Sequence, residues 1–250
     1  MPDAIILASF GSADDEIREK TFDALEIELQ KNFPAFEIRQ AFTSQFMIRK
    51  LSRRGIFIGT PAEEIARLRR AGCRKIFLLP THLTAGEEFD NKIKICAGAD
   101  VEIVPPILSE PVDEKIFAAI VECFPRAADE DLILVGHGSP NRHNPVYESL
   151  QKISGDGVHI GVIEPNDTPN FAQVVGRLKN RRGKKILLAP LLFNGGVHVS
   201  KEIAGADENS WLGRLTALGY KVRVVRDGLG TFENFRGLYV EKIRKQIGAD

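Results

Sequence analysis

Short, nearly all-apolar runs recur along this chain, each separated from the next by a helix-length segment, and that alternation fixes the fold class. The runs 4–10 (AIILASF), 36–42 (FEIRQAF), 75–80 (KIFLLP) and 101–106 (VEIVPP) read as strands in the first half. Their counterparts in the second half are 131–137 (DLILVGH), 158–164 (VHIGVIE), 185–190 (KILLAP) and 221–226 (KVRVVR). Strands without polar alternation are covered on both faces, which implies an α/β fold with mainly parallel sheets flanked by helices. Helix starts are marked too. Ser12 with Asp15 three residues on reads as a capping box, and Thr60-Pro61 and Thr168-Pro169 each set a threonine cap before a proline at the first helical position. Gly72 and Gly183 stand where the helices after those caps should stop.

The halves also resemble each other. IILASFGS (5–12) aligns with LILVGHGS (132–139) at an offset of 127, and KIFLLPTHLTAGEE (75–88) aligns with KILLAPLLFNGGVH (185–198) at an offset of 110. Strand, proline and glycine punctuation recur in the same order. The expectation is two similar lobes, 1–126 and 127–250, with a cleft between them lined by the C-terminal ends of the strands, where open α/β sheets bind ligands.

Composition narrows the function by exclusion. With 34 basic and 34 acidic residues, no overall field holds the chain on nucleic acid. No apolar stretch approaches the ~18–20 residues of a membrane span, and the N-terminus lacks the positive region of an export signal. Cys73, Cys96 and Cys123 form no CxxC pair, which argues against a thiolate zinc site and fits the reducing cytoplasm. Neither GxxxxGK[S/T] nor GxGxxG occurs between a strand and a helix, and GHGSPN is not a GxSxG elbow. Nucleotide, hydride and hydrolase chemistry lose their usual signatures.

The repeat singles out polar residues at strand ends. His137 occupies the place of Phe10, and His198 that of Glu88. Glycines beside both histidines leave the imidazoles accessible. Glu164 closes the strand 158–164. Two imidazoles with one or two carboxylates suit a divalent transition metal, and the same groups shuttle protons near neutral pH. Glu88 serves equally well as an acid favouring a helix N-terminus, and Glu164 as a plain strand-end carboxylate. His82 and His159 read as structural, and His143 as a surface helix residue. Arg49, Lys50, Arg53 and Arg54 form either a solvated helix face or a local patch for an anionic substrate, since guanidinium forks pair with carboxylates.

Several segments together resemble the CbiK-type sirohydrochlorin cobaltochelatases of the class II chelatase superfamily, which includes ferrochelatase. They are SFGS (9–12), AFTSQFMIRKL (41–51), TP (60–61), HLTAGEEFD (82–90), GHGSPN (136–141), IGVIE (160–164), LAPLLFNGGVHV (188–199) and NSW (209–211). The resemblance implies that His137 is a metal ligand and proton acceptor, and that His198 and Glu164 are further ligands. It places Glu88 as a catalytic acid–base group beside the metal path. Phe10, Ser12, Arg49 and Arg54 are the expected contacts of a tetrapyrrole substrate. It implies no organic cofactor: Co2+ is a substrate, and Fe2+ or Ni2+ suits the same ligands. The partners implied are the tetrapyrrole and the metal, with no nucleic acid and no membrane; a homo-oligomer is allowed. Iron insertion into the same ring and a non-catalytic metal or haem carrier are the alternative readings.

Overall fold

The computed structural model describes residues 2–179 and 184–248. The chain forms two compact units, Met1–Ser109 with Gly230–Asp250, and Glu110–Leu229. In the first unit the order is β1 (Ala4–Ser9), α1 (Asp15–Arg18), a π-helical turn (Glu19–Asp23), α2 (Ala24–Asn32), β2 (Glu37–Phe42), α3 (Gln45–Ser52), α4 (Pro61–Arg70), β3 (Ile76–Pro80), α5 (Glu87–Lys92) and β4 (Val101–Ile103). The second unit holds α6 (Glu114–Glu122), β5 (Glu130–Gly136), α7 (Pro145–Ile153), β6 (Val158–Val162), α8 (Phe171–Leu178), β7 (Lys185–Pro190), a π-helical turn (Val199–Ile203), α9 (Trp211–Ala217) and β8 (Lys221–Val224). The last helix, α10 (Glu233–Ile247), belongs to the first unit.

Each unit carries one parallel four-stranded sheet, ordered β2-β1-β3-β4 and β6-β5-β7-β8. The two orders are equivalent, as the sequence repeat implies. All eight expected strands are present, and five of them, β1, β4, β5, β6 and β8, end one to three residues early. In the first unit Ala4, Ile6 and Ala8 face α4 and α5 through Ile65, Leu68, Phe89 and Ile93. In the second, Ile133, Val135, Ile186 and Leu188 face α8 and α9 through Phe171, Val174, Trp211 and Leu215. Strands β1, β3, β5, β6 and β7 are buried on both faces, which is the reason their runs lack polar alternation, whereas the edge strands β2 and β8 expose Arg39, Lys221 and Arg223.

The division of the chain differs from the expected 126/127 boundary. The repeat marks strands, and covering helices carry no such mark. Residues 110–126, with α6 burying Phe117 and Ile120, join the second unit. The C-terminal α10 buries Phe235, Tyr239 and Ile243 in the first unit, and Arg236 pairs with Glu28 of α2 at 2.5 Å.

Capping follows the sequence at α4, where Thr60 and Glu63 close a full capping box and Gly72, at φ 85°, lies just past the helix end. It shifts at two other helices. Asp14, not Ser12, caps α1, because the Ser12 hydroxyl already accepts the Asp14 N–H at 3.1 Å. Thr168-Pro169 does not open α8: the Pro169 carbonyl accepts the Val162 N–H at 3.0 Å, so the cap passes to Asn170 with Gln173 completing the box. Gly183 lies outside the described residues. No helix among the described residues is long and apolar enough to cross a membrane.

Candidate metal centre

Three of the singled-out residues meet at the C-terminal edge of the second unit's sheet. Hydrogen bonding between β5 and β6 runs on past both strands, with Ile163 N–H donating to Gly136 O at 2.9 Å and Glu164 N–H to His137 O at 3.0 Å. This extended ladder sets His137 and Glu164 side by side, with the Glu164 carboxylate 4.0 Å from His137 Nδ1. Gly138 turns the chain immediately afterwards at φ 79°; a Cβ there would lie 3.0 Å from Val162 and 3.1 Å from Glu164. Only glycine combines that backbone with that approach.

His198 comes from the loop after β7. Gly195 lets that loop lie against the next one, since a Cβ on it would stand 2.3 Å from the Arg226 carbonyl. His198 then caps the π-helical turn, a rare geometry often found at functional sites. Its ring meets His137 edge to face, with centroids 4.6 Å apart and an interplanar angle of 82°. β5 and β7 are neighbours across which the chain reverses direction in the sheet, so the two histidines flank the topological switch point.

The hydrogen bonds fix the imidazole tautomers. His137 Nδ1 faces the Gly138 carbonyl at 3.2 Å, and His198 Nδ1 faces the Glu202 carboxylate at 2.5 Å. Both partners only accept, so in the neutral rings both Nδ1 atoms carry the proton and both Nε2 atoms present a lone pair. Glu202 was not among the expected site residues. Its place four residues beyond His198, one helical turn on, was the signal available in the sequence. Among the described residues no three His, Cys, Asp or Glu side chains stand in an arrangement that would hold a metal ion, and the contacts here are pairwise: His137 with His198 and His137 with Glu164. The standing arrangement is an imidazole pair with a carboxylate beside each Nδ1 edge.

Glu88 lies in the first turn of α5, in the first unit, and its carboxylate has no hydrogen bond or ion pair among the described residues. Phe10 follows β1 and is 46% exposed. Arg49 forms no ion pair among the described residues. Ser12 and Arg54 are committed locally instead. Ser12 is buried on the Asp14 N–H, whereas Arg54 donates to Ala13 O at 2.7 Å and pairs with Asp15, whose carboxyl that hydrogen bond holds below its usual range. Two further exposed aromatic residues lie near the end of β2 in the first unit, Phe46 in the first turn of α3 (63% exposed) and Phe57 two residues before Gly59 (79%), with no motif in the sequence to single them out. The Gly59 carbonyl accepts the Phe42 N–H at 2.9 Å, which brings that loop to the end of β2.

His143 is not on a helix: it precedes α7, and its Nδ1 lies 3.0 Å from the buried Asp167 carboxylate. His82 and His159 are structural, as expected, with ring nitrogens shut away from solvent.

The fold is shared with two proteins of known structure. SirB from Bacillus subtilis with Fe3+ superposes with a TM-score of 0.64 at 13% identity, covering 100% of this chain and 98% of that one. CbiX, the terminal enzyme for biosynthesis of siroheme in denitrifying bacteria, superposes with a TM-score of 0.56 at 17% identity, covering 97% and 98%. In sequence, a sirohydrochlorin cobaltochelatase (CbiKC) of Nitratidesulfovibrio vulgaris is 26% identical over 98% of this chain and 90% of its own. The sirohydrochlorin cobaltochelatase of Salmonella typhimurium is 24% identical over 99% and 97%. The cobalt chelatase (CbiK) family model matches residues 3–248, and the chain belongs to that family. It is a metal chelatase, an enzyme whose substrates include a divalent metal ion.

Proposed function

We propose that this enzyme inserts Co2+ into sirohydrochlorin, on the route to cobalamin. The observation that carries the reading is the His137–His198 pair, whose Nε2 lone pairs stand unused at the edge of the second unit's sheet. Family membership and two relatives named for this reaction support it.

Insertion exchanges two pyrrole N–H protons for one M2+. A substrate metal must be held and then released, which favours few ligands and open positions over a closed tetrahedral cage. His137 and His198 supply two neutral nitrogens, and Glu164, which rests beside the Nδ1 edge of His137, joins them at the ion by turning its carboxylate toward the Nε2 side. Each ligand sheds the metal as the pyrrole nitrogens take it, and His137 and Glu88 accept the ring protons. Glu202 holds the His198 tautomer that exposes Nε2. In the first unit, Phe10 offers an aromatic face to the macrocycle and Arg49 a guanidinium to its carboxylates. Arg54 and Ser12 act indirectly, by holding the loop that carries Phe10. Three free cysteines accord with a reducing cytoplasm. Iron or nickel suits the same donors, so Co2+ rests on the family rather than on the ligands.

The test is an absorbance assay of insertion with sirohydrochlorin and Co2+, Fe2+ or Ni2+ in turn. The expected result is turnover with Co2+, reduced about 100-fold or more in H137A and H198A, with far-ultraviolet circular dichroism unchanged. Wild-type rates in the double variant would overturn the assignment, and tight metal binding without turnover would make the protein a carrier.

A further inference from the structure

Asp167, three residues beyond Glu164, has a side chain wholly closed to solvent. Its oxygens divide their work. Oδ2 accepts the Ser139 N–H at 2.9 Å. Oδ1 accepts the Asn144 N–H at 3.1 Å, the Thr168 N–H at 2.8 Å and the Nδ1 edge of His143 at 3.0 Å. The Asp167 N–H itself donates to Glu164 O at 3.2 Å. A buried carboxylate is stable when such N–H donors replace its water. The identity of the donors is what matters here. Ser139 and Asn144 lie on the loop that begins at His137, and Thr168 lies on the turn that begins at Glu164.

We infer that Asp167 is a positioning residue of the metal centre: its carboxylate clamps the 137–144 loop to the 164–168 turn and so fixes His137 against Glu164. The inference rests on the metal-binding reading of His137 given above. The β5–β6 ladder sets the two backbones at the strand ends. Beyond the strand ends the chain continues as the two loops, and Asp167 is bonded to both.

The division between the oxygens makes the idea testable. In Asp167→Asn the amide oxygen can remain at the Oδ1 place, keeping Asn144 and Thr168, while the amide NH2 faces the Ser139 N–H and that bond is lost. Asp167→Glu keeps charge and acceptors but displaces them. His143→Ala removes only the ring contact. Steady-state insertion, with KM for Co2+ and for sirohydrochlorin measured separately, is compared across D167N, D167E, H143A and H137A, with Tm for each. The expected result is a KM for Co2+ raised about tenfold or more in D167N or D167E, an unchanged KM for sirohydrochlorin, and H143A close to wild type. A lowered Tm with both KM values at wild type in the folded variants would overturn the inference and leave Asp167 a fold-stabilising group. H137A with wild-type KM for Co2+ would instead overturn the reading of the centre itself.

Discussion

At the level of single residues, the histidines divide by what surrounds their nitrogens. His137 and His198 keep one nitrogen on an acceptor and the other open. His82 has neither nitrogen bonded among the described residues, and burial pushes its pKa down to about 4, although part of the residue reaches the surface. The neutral ring is the form the fold tolerates. Its contribution to stability is therefore present above the unfolded value near 6.5 and is lost as pH falls from there toward 4. Denaturant unfolding of the wild type should weaken by roughly 1–3 kcal/mol through this group between pH 7 and 4.5. His82→Leu should remove that part of the slope, and an unaltered pH dependence in the variant would count against it. The sequence made His137 and His198 visible because glycines beside them leave the ring accessible. Glu202 and Asp167 were not read, because a carboxylate on a helix or in a turn looks like any solvated acid until its partners are known.

At the level of elements, the end of β5 is packed tightly against α7. A Cβ on Gly136 would lie 2.3 Å from the Tyr147 ring of α7, so Gly136→Ala forces the helix or the strand end to move. The expected cost is about 1–3 kcal/mol, read as a lowered Tm, with a slower insertion rate because His137 is the next residue. Helix α3 separates two arginines that the sequence could not tell apart. Arg49 has no ion pair among the described residues, whereas Arg54 reaches back to Ala13 and Asp15. Arg49→Ala should raise the KM for the tetrapyrrole about tenfold, the value of one charge-assisted contact, with kcat nearly unchanged. Arg54→Ala should act through the Phe10 loop and lower kcat as well as raise KM; identical kinetic effects from the two variants would contradict the distinction. The caps show the same limit of local reading. Thr60 caps as its sequence says, but Ser12 and Thr168 lose the role to Asp14 and Asn170 because neighbouring backbone groups claim their segments first.

At the level of the whole molecule, the chain leaves its first unit after Ser109 and returns to it at Gly230. A chain ended at Leu229 would strip Phe235 and Tyr239 from the first unit's core. Each is a buried aromatic worth about 3–5 kcal/mol, together comparable with the ~5–15 kcal/mol that keeps a domain folded. The truncated chain should therefore expose the first unit to proteolysis while Trp211, the single tryptophan, still reports a folded second unit by its buried emission. Loss of both signals together would mean that the units do not fold separately. The sequence by itself determined the α/β class, the eight strands, the repeat and the strand-end histidines, because an apolar run of fixed length and a glycine beside a polar residue are local marks of burial and access. Only the tertiary structure decided which helix covers which sheet, which arginine is free and which carboxylates hold the imidazoles. Those outcomes depend on hydrogen bonds between residues as far apart as Arg54 and Ala13, or Asp167 and Ser139, and such partners compete on geometry that no local pattern records.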